Sequence, residues 1–184
     1  APAQVLVGSP LERAVLCALT CRDSLRLPNG RSIMLSFEQL EAGRLFEKVS
    51  ATGSELQLAR ALDSLTPDTL YYDGLNGTER HPLADIWFCA APNWLVLLDC
   101  GGTKKKARKK MSAKSRQISQ LVDSGCLSGW KVTMLIFAPA APSATMPSST
   151  ALSDDVDIAI VAGSLATEWL GSWSQLWQYL PDDG

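Results

Sequence analysis

Two aspartates stand within apolar runs of the sequence, at positions where an apolar residue would be expected. Asp85 lies in PLADIWFCA and Asp99 in WLVLLDC, and a short turn at Ala91-Pro92-Asn93 joins the two runs. With Pro92 at the centre of a hairpin, Asp85 faces Asp99 on one side of the strand pair, with the Cβ atoms roughly 5 Å apart. Opposed carboxylates can bind Mg²⁺ or Mn²⁺, which activates water and stabilises charge on a phosphoryl group. We therefore predict that Asp85 and Asp99 are metal ligands.

Both aspartates are also compatible with a purely structural role. Asp99 could close its strand before Gly101-Gly102, and Asp85 could pair with Arg80. A slip of one residue in the hairpin register would place the two carboxylates on opposite faces. The sequence alone leaves both interpretations open.

A dense run of basic residues follows the second aspartate. Residues 104–116 contain eight of the seventeen Lys and Arg residues of the chain and no acid, whereas the rest holds all nineteen Asp and Glu residues. One positive face on an acidic body predicts a defined polyanion site. The predicted nucleic-acid-binding residues are Lys104, Lys105, Lys106, Arg108, Lys109, Lys110, Lys114 and Arg116.

The alternative for this run is a solvated helix face without a ligand. Like charges spaced i, i+4 disfavour a helix, and a phosphate backbone would relieve their repulsion. Gly101-Gly102-Thr103 precedes the run and could offer backbone amides to an anion. We therefore favour nucleic-acid backbone binding, and a nuclear-localisation signal is compatible with it.

A third acid, Glu12, stands at the start of a predicted helix. Ser9-Pro10-Leu11-Glu12 has the residues of a capping box, in which Glu12 bonds the N-cap backbone and needs no further role. A functional Glu12 would instead have to point along the helix toward the two aspartates.

The remaining pattern predicts an α/β fold with a central mixed sheet and flanking helices. A buried apolar stripe of Met111, Ile118, Leu121 and Val122 opposes the basic face of the helix predicted over 104–124. Residues 138–155, rich in Ala, Pro and Ser, predict a flexible loop within a single domain over 1–184. Helices are predicted over 10–20, 53–65 and 164–180 (broken near Gly171), and strands over 31–37, 46–49, 69–72, 84–90, 94–100, 131–137 and 156–162.

Composition favours an intracellular globular protein. Hydrophobic residues make up 46% and charged residues 20% of the 184 residues, and no apolar run is long enough for a transmembrane helix. The five cysteines show no paired metal spacing, so we expect reduced thiols. No secretory signal is visible, and the start without methionine leads us to expect a piece of a longer protein.

The order of these elements resembles the PD-(D/E)xK restriction-endonuclease-like fold, and more closely the nuclease-like domain of retrotransposon hot spot proteins and Crinkler effectors. The likeness covers most of residues 8–140. The segments that carry it are SPLERAVLCAL, DTLYY, HPLADIWF, LVLLDCGG and WKVTMLIFAP.

The resemblance implies a role for each acid. Glu12 would be the helix acid, Asp85 the first metal ligand and Asp99 the second acid, with Mg²⁺ or Mn²⁺ as cofactor. The family's lysine two positions after the second acid is absent, because Gly101 stands there. Lys104, or Lys105 beside it, is the candidate to replace it in orienting water and stabilising the transition state. The resemblance also implies nucleic acid as partner, DNA or RNA, and a nuclear location.

Three functions follow as hypotheses. The first is a metal-dependent nuclease, the second a non-catalytic relative that binds nucleic acid on the same scaffold. The third is a protein-interaction module of a larger nuclear protein, which meets its partner through the Trp-rich C-terminal region containing Trp169, Trp173 and Trp177.

Overall fold

A seven-stranded mixed β-sheet forms the centre of the fold. The computed structural model describes residues 10–43, 45, 58, 61–73, 83–101, 104–138 and 150–173. The strands of the chain are β1 (Ser24–Arg26), β2 (Ser32–Met34), β3 (Gln39–Gly43), β4 (Thr69–Asp73), β5 (Ile86–Ala91), β6 (Trp94–Cys100), β7 (Lys131–Phe137), β8 (Thr150–Ala151) and β9 (Val156–Val161).

The sheet combines parallel and antiparallel pairs in the order β3-β4-β5-β6-β7-β9-β8. Strands β6, β7 and β9 run parallel, so their carboxyl ends lie along one edge of the sheet. The β5–β6 hairpin is antiparallel, which brings the start of β5 to that same edge. Strands β1 and β2 form a separate antiparallel pair.

Helices cover both faces of the sheet. They are α1 (Pro10–Thr20), α2 (Lys104–Ser124) and α3 (Gly163–Leu170), the last followed by a 3₁₀ turn over Gly171–Trp173. The apolar face of α1 packs with the even-numbered residues of β6, such as Val96 and Leu98. The buried face of α2 packs on the opposite side with Leu95 and Leu97. This division follows from the alternation of side chains along a strand.

The structure confirms the α/β class and most of the predicted elements. The helix predicted over 104–124 is present as α2, and Gly125 follows its last residue. The positive φ of 80° at Gly125 suits a helix C-terminus. The break predicted near Gly171 is also present, as the helix gives way there to the 3₁₀ turn. The β5–β6 register agrees with the prediction over its first four pairs, from Ile86↔Leu98 to Cys89↔Leu95.

Several elements differ from the sequence prediction. Strands β1 and β3 were not predicted, since β1 has only three residues and β3 is exposed along nearly all of its length. The predicted strand over 31–37 is shorter, at Ser32–Met34. Thr150–Ala151, at the end of the predicted loop, form an edge strand on β9.

Other predictions fall outside the described residues. They concern the N-cap at Ser9, the strand at 46–49, residues 139–149 of the loop and the helix after 173. Of the helix predicted over 53–65, the described residues 58 and 61–63 are helical. The single domain over 1–184 stays a prediction. Among the helices described, none has both the length and the apolar character needed to span a membrane.

Candidate functional site

Asp99 is a buried carboxylate near the carboxyl end of β6. Its side chain is 6% exposed, and its backbone pairs in register with Ile136 of β7. Strand alternation places Asp99 on the same side of the sheet as Leu95 and Leu97, which is the side that α2 covers. The carboxylate therefore needs polar partners from α2 or from the neighbouring strand to offset its desolvation.

Asp85 lies directly before β5 and supplies one of those partners. Its carboxyl group interacts with that of Asp99 and raises its own pKa in doing so, and the adjacent Ile86↔Leu98 is the first pair of the hairpin. Its backbone N–H donates to the carbonyl of Leu98 at 2.9 Å, and its Oδ2 accepts from the N–H of Cys100 at 3.0 Å. These bonds fix the carboxyl group of Asp85 against the end of β6.

The hairpin reaches this register through a turn shorter than the predicted one. Ala91 and Trp94 form the last pair, so the turn consists of Pro92 and Asn93, and a bulge lies between Cys89 and Ala91. Asn93 adopts a φ of 59°, a left-handed conformation that asparagine tolerates. The bulge compensates for the shorter turn, so that Ile86, directly after Asp85, pairs with Leu98, directly before Asp99.

Lys110 of α2 contacts both carboxyl groups. Its Nζ lies 3.1 Å from Oδ1 of Asp99, which accepts a hydrogen bond from it, and 4.0 Å from Oδ2 of Asp85. The Lys110 side chain is 33% exposed, against 14% for Asp85 and 6% for Asp99. Lys110 is thus the most exposed member of the cluster.

Lys114, one helical turn later, lies deeper. Its Nζ donates to the carbonyl of Leu83 at 2.8 Å and lies 3.7 Å from Oδ2 of Asp99, and its side chain is 8% exposed. Lys114 therefore connects the segment entering β5 to the end of β6. Because its ammonium is buried, Lys114 does not share the exposed basic surface to which the sequence analysis assigned it.

Glu12 affects the same end of the sheet electrostatically, from the face that α1 covers. It lies in the first turn of α1, and its negative charge raises the pKa of both Asp85 and the buried thiol of Cys100. Glu12 is thus near enough to Asp85 to affect its pKa electrostatically. Whether it has the predicted catalytic role stays a prediction.

The two aspartates differ in protonation. Burial, the hydrogen bond to Asp99 and the negative charges of Asp99 and Glu12 raise the pKa of Asp85 to about 9. Burial opposes ionisation of Asp99 as well, but the hydrogen bond from Asp85 and the charges of Lys110 and Lys114 outweigh it and lower the pKa of Asp99. At neutral pH, Asp85 holds a proton that it shares with ionised Asp99.

The charge of Lys110 is favoured by the same contacts. Burial would lower its pKa, but the carboxylates of Asp99 and Asp85 outweigh this and raise it. For Lys114, burial is the larger effect and its pKa is lowered. Lys110 is thus the ammonium that the acid pair holds most firmly in the charged state.

Gly101, two positions after Asp99, lies against the backbone of α2. A Cβ at Gly101 would lie 3.2 Å from both the Cα and the N of Ala107 in α2. Backbone atoms of a helix cannot yield as the end of a flexible side chain can. The close approach of α2 to β6 requires glycine here and places Lys110 and Lys114 beside the acids.

The other basic residues of the run do not contact the acid pair where the structure describes them. Lys105, which we predicted as a replacement lysine together with Lys104, is exposed, and the ammonium groups at the acid pair belong to Lys110 and Lys114. The side chain of Lys104 lies outside the described part of the structure. The exposed basic surface consists of Lys105, Lys106, Arg108, Lys109 and Arg116.

The spacing of the buried residues of α2 could have shown from the sequence that Lys114 is buried. Ala107, Met111, Lys114, Ile118 and Leu121 follow intervals of four, three, four and three residues, as the buried stripe of a helix does. Lys114 therefore occupies an apolar position of the stripe, and a buried lysine requires an acid or carbonyl partner. The sequence analysis assigned all eight basic residues to one surface and missed this.

The carboxyl oxygens at this site are chemically suited to a hard divalent cation. Mg²⁺ is commonly held by one or two carboxylates together with water and substrate phosphate, and Asp85 and Asp99 supply such a pair. Within the described residues, no group of three or more His, Cys, Asp or Glu side chains is arranged to hold a metal ion.

Comparison with known proteins gives no relative for this chain. No family model matches it, and neither a curated protein nor a solved structure matches it.

Proposed function

We propose that this chain is a nucleic-acid-binding, nuclease-like domain that hydrolyses phosphodiester bonds at the Asp85–Asp99 pair. The observation that carries the proposal is the position of Lys110, a partly exposed side chain whose ammonium lies 3.1 Å from Asp99 and 4.0 Å from Asp85. Two carboxyl groups and an adjacent cation supply the charges that phosphodiester hydrolysis needs.

The side chains would divide the chemistry among them. Asp85 and Asp99 would hold Mg²⁺ or Mn²⁺, with Glu12 adding negative charge from α1. A bound divalent cation supplies Lewis-acid stabilisation of the phosphoryl group and a water of lowered pKa. Lys110 would orient the phosphate and stabilise the charge that develops on it. Lys110 therefore takes the role that the sequence analysis gave to Lys104.

This arrangement supports the resemblance to the PD-(D/E)xK restriction-endonuclease-like fold. The acid pair lies at the end of a strand hairpin in a mixed sheet, and a helix acid lies beside it. Gly101 replaces the strand lysine, and the ammonium comes from α2 instead. We propose that the chain is a variant of that fold in which the helix supplies the lysine.

The exposed basic surface would hold the nucleic-acid backbone beside the acids. Lys105 and Arg116 mark its ends, and a rise of 1.5 Å per residue separates them by about 16 Å along α2. Because Lys110 belongs to the same helix, a phosphate chain on this surface would pass close to the acid pair. DNA and RNA share this backbone chemistry.

The same contacts favour a second candidate, a domain that binds nucleic acid without cleaving it. Lys110 already neutralises the acid pair, so the cluster is stable as an ion-pair network without a metal. The protein-interaction hypothesis has less support, because Trp169 is buried and Trp173 is partly buried in the core around α1. Trp177 lies outside the described residues.

Cleavage of labelled single- and double-stranded DNA and RNA, with Mg²⁺ or Mn²⁺, separates these candidates. We expect metal-dependent cleavage by the wild type that is lost in Asp99→Asn and in the double variant Asp85→Ala/Asp99→Ala. Asp123→Asn, which changes an exposed acid near the end of α2, is the matched control and should retain activity. Backbone binding without cleavage by the wild type would support the non-catalytic candidate.

A further inference from the structure

Lys110 occupies the position between the two carboxyl groups that a bound cation would use. Its Nζ lies 3.1 Å from Oδ1 of Asp99 and 4.0 Å from Oδ2 of Asp85, and its side chain is partly exposed. The ammonium and a divalent cation would both be attracted to these oxygens, and they repel each other at such short distances. The two cannot occupy the acid pair together.

The ammonium of Lys114 cannot give way to a divalent cation as that of Lys110 can. Lys114 donates to the carbonyl of Leu83 at 2.8 Å, and its side chain is only 8% exposed. Its departure would leave a buried carbonyl without this donor. Lys110 is 33% exposed and ends a flexible side chain of four methylene groups, so its ammonium can move to solvent while α2 stays in place.

We propose that Lys110 is an internal counter-ion of the Asp85–Asp99 pair that competes with the divalent cation and leaves the pair when that cation binds. This inference rests on the proposed function, because it takes the acid pair as the metal site. It gives ionised Asp99 an exchangeable cation partner when no metal is bound. It also places a mobile ammonium beside the acids, where a phosphate of the bound backbone would meet it.

Chemical labelling of the wild type tests the exchange without any substitution. The protein is treated with an amine-acylating reagent, with and without Mn²⁺, and modification of each lysine is followed by mass spectrometry. We expect Mn²⁺ to increase the labelling rate of Lys110 about tenfold, as its population shifts from the acid pair to solvent. Lys109, exposed on the same helix, should react at an unchanged rate, and Lys114 should stay protected.

Metal affinity provides an independent measurement. Lys110→Met removes the competing charge, and titration calorimetry should show Mn²⁺ binding tightened by about tenfold or more. Lys109→Met makes the same change of net charge at an exposed site, where solvent screens it, and should shift the affinity by less than about twofold. Asp99→Asn should abolish both the binding and the Mn²⁺-dependent labelling.

The proposal is overturned if Mn²⁺ binds the wild type without raising the reactivity of Lys110, if Lys110→Met binds it no more tightly than Lys109→Met, or if neither protein binds it. The last outcome would also remove the metal-dependent nuclease, whereas the first two are distinct from failure of the proposed function. Exposure of Lys110 by Mn²⁺ in a protein that cleaves no nucleic acid would support the exchange and reject the nuclease. Cleavage without such exposure would do the reverse.

Discussion

The ammonium of Lys110 lies 3.1 Å from Oδ1 of Asp99, which stands eleven positions earlier in the chain. Strand β6 ends at Cys100, the chain reverses, and the second turn of α2 returns to the strand end. A lysine on this helix thereby reaches the carboxyl group of Asp99 at the strand end. The geometry of one strand-to-helix connection creates the acid–lysine cluster.

Loss of the buried lysine should destabilise the fold. Lys114→Met removes the donor to Leu83 and one cation beside Asp99, and we expect the free energy of unfolding to fall by about 3 kcal/mol. Urea denaturation measures this change. Lys109→Met, an exposed substitution on the same helix, should stay within about 0.5 kcal/mol of the wild type.

A double-mutant cycle assigns that loss to Asp99. The effects of Lys114→Met and Asp99→Asn should be non-additive by about 1 kcal/mol, because the two groups share one charge network. Additive effects, or a loss at Lys114 no larger than at Lys109, would show that the buried contact contributes little.

The space around Gly101 limits which residue can stand two positions after Asp99. Gly101→Ala would press a Cβ against the backbone of Ala107, and we expect a loss of about 1–3 kcal/mol in the free energy of unfolding. The control is Gly43→Ala, whose Cβ would meet only the Trp87 side chain at 3.9 Å, an ordinary contact. Equal stability of the two variants would contradict the close approach of α2 to β6.

Neutralising the exposed basic surface should reduce the salt dependence of nucleic-acid binding. For duplex DNA, Lys105→Gln/Lys109→Gln should lower the slope of log K against log salt concentration by about 2, through loss of two phosphate contacts. Fluorescence anisotropy at several salt concentrations measures this slope. Lys131→Gln, at the start of β7 and away from the acid end of the sheet, should leave it unchanged. An unaltered slope in the double variant would mean that the phosphates do not contact Lys105 and Lys109.

The raised pKa of Asp85 predicts how stability depends on pH. Unfolded Asp85 ionises above its ordinary pKa of 3.8, whereas the folded carboxyl keeps its proton up to about 9. Between these values the unfolded state binds fewer protons, so Asp85 lowers stability by up to about 1.4 kcal/mol per pH unit as pH rises.

Asp85→Asn mimics the protonated form and removes this dependence. In metal-free buffer it should raise Tm relative to the wild type at about pH 8, with a gain that shrinks toward about pH 4. Asp123→Asn, at an exposed position on α2, should give a pH profile parallel to that of the wild type. A Tm deficit for Asp85→Asn that is constant with pH would mean that Asp85 is ionised in the folded protein.

The local pattern of the sequence determined the elements that are densely apolar or strongly periodic. Strands β5, β6, β7 and β9 and helix α2 follow from their residues, and the opposition of Asp85 and Asp99 follows from hairpin geometry. The weakly patterned strands β1 and β3 did not, because their pairing depends on neighbours distant in the chain. Strand propensity is a weak guide to the position of a strand whose pairing is determined by tertiary contacts.

Only the tertiary structure decided which basic residues meet the acids. In the sequence, Lys105, Lys110 and Lys114 are similar members of one charge run. Packing of α2 on the sheet turns Lys110 and Lys114 toward Asp99 and leaves Lys105 in solvent. The rotation of a helix about its axis is fixed by which of its residues pack on the sheet, here Ala107, Ile118 and Leu121, and by the space left at Gly101. Charge composition thus indicated an anion-binding surface, whereas the acid–lysine cluster arises from the packing of one helix against one strand end.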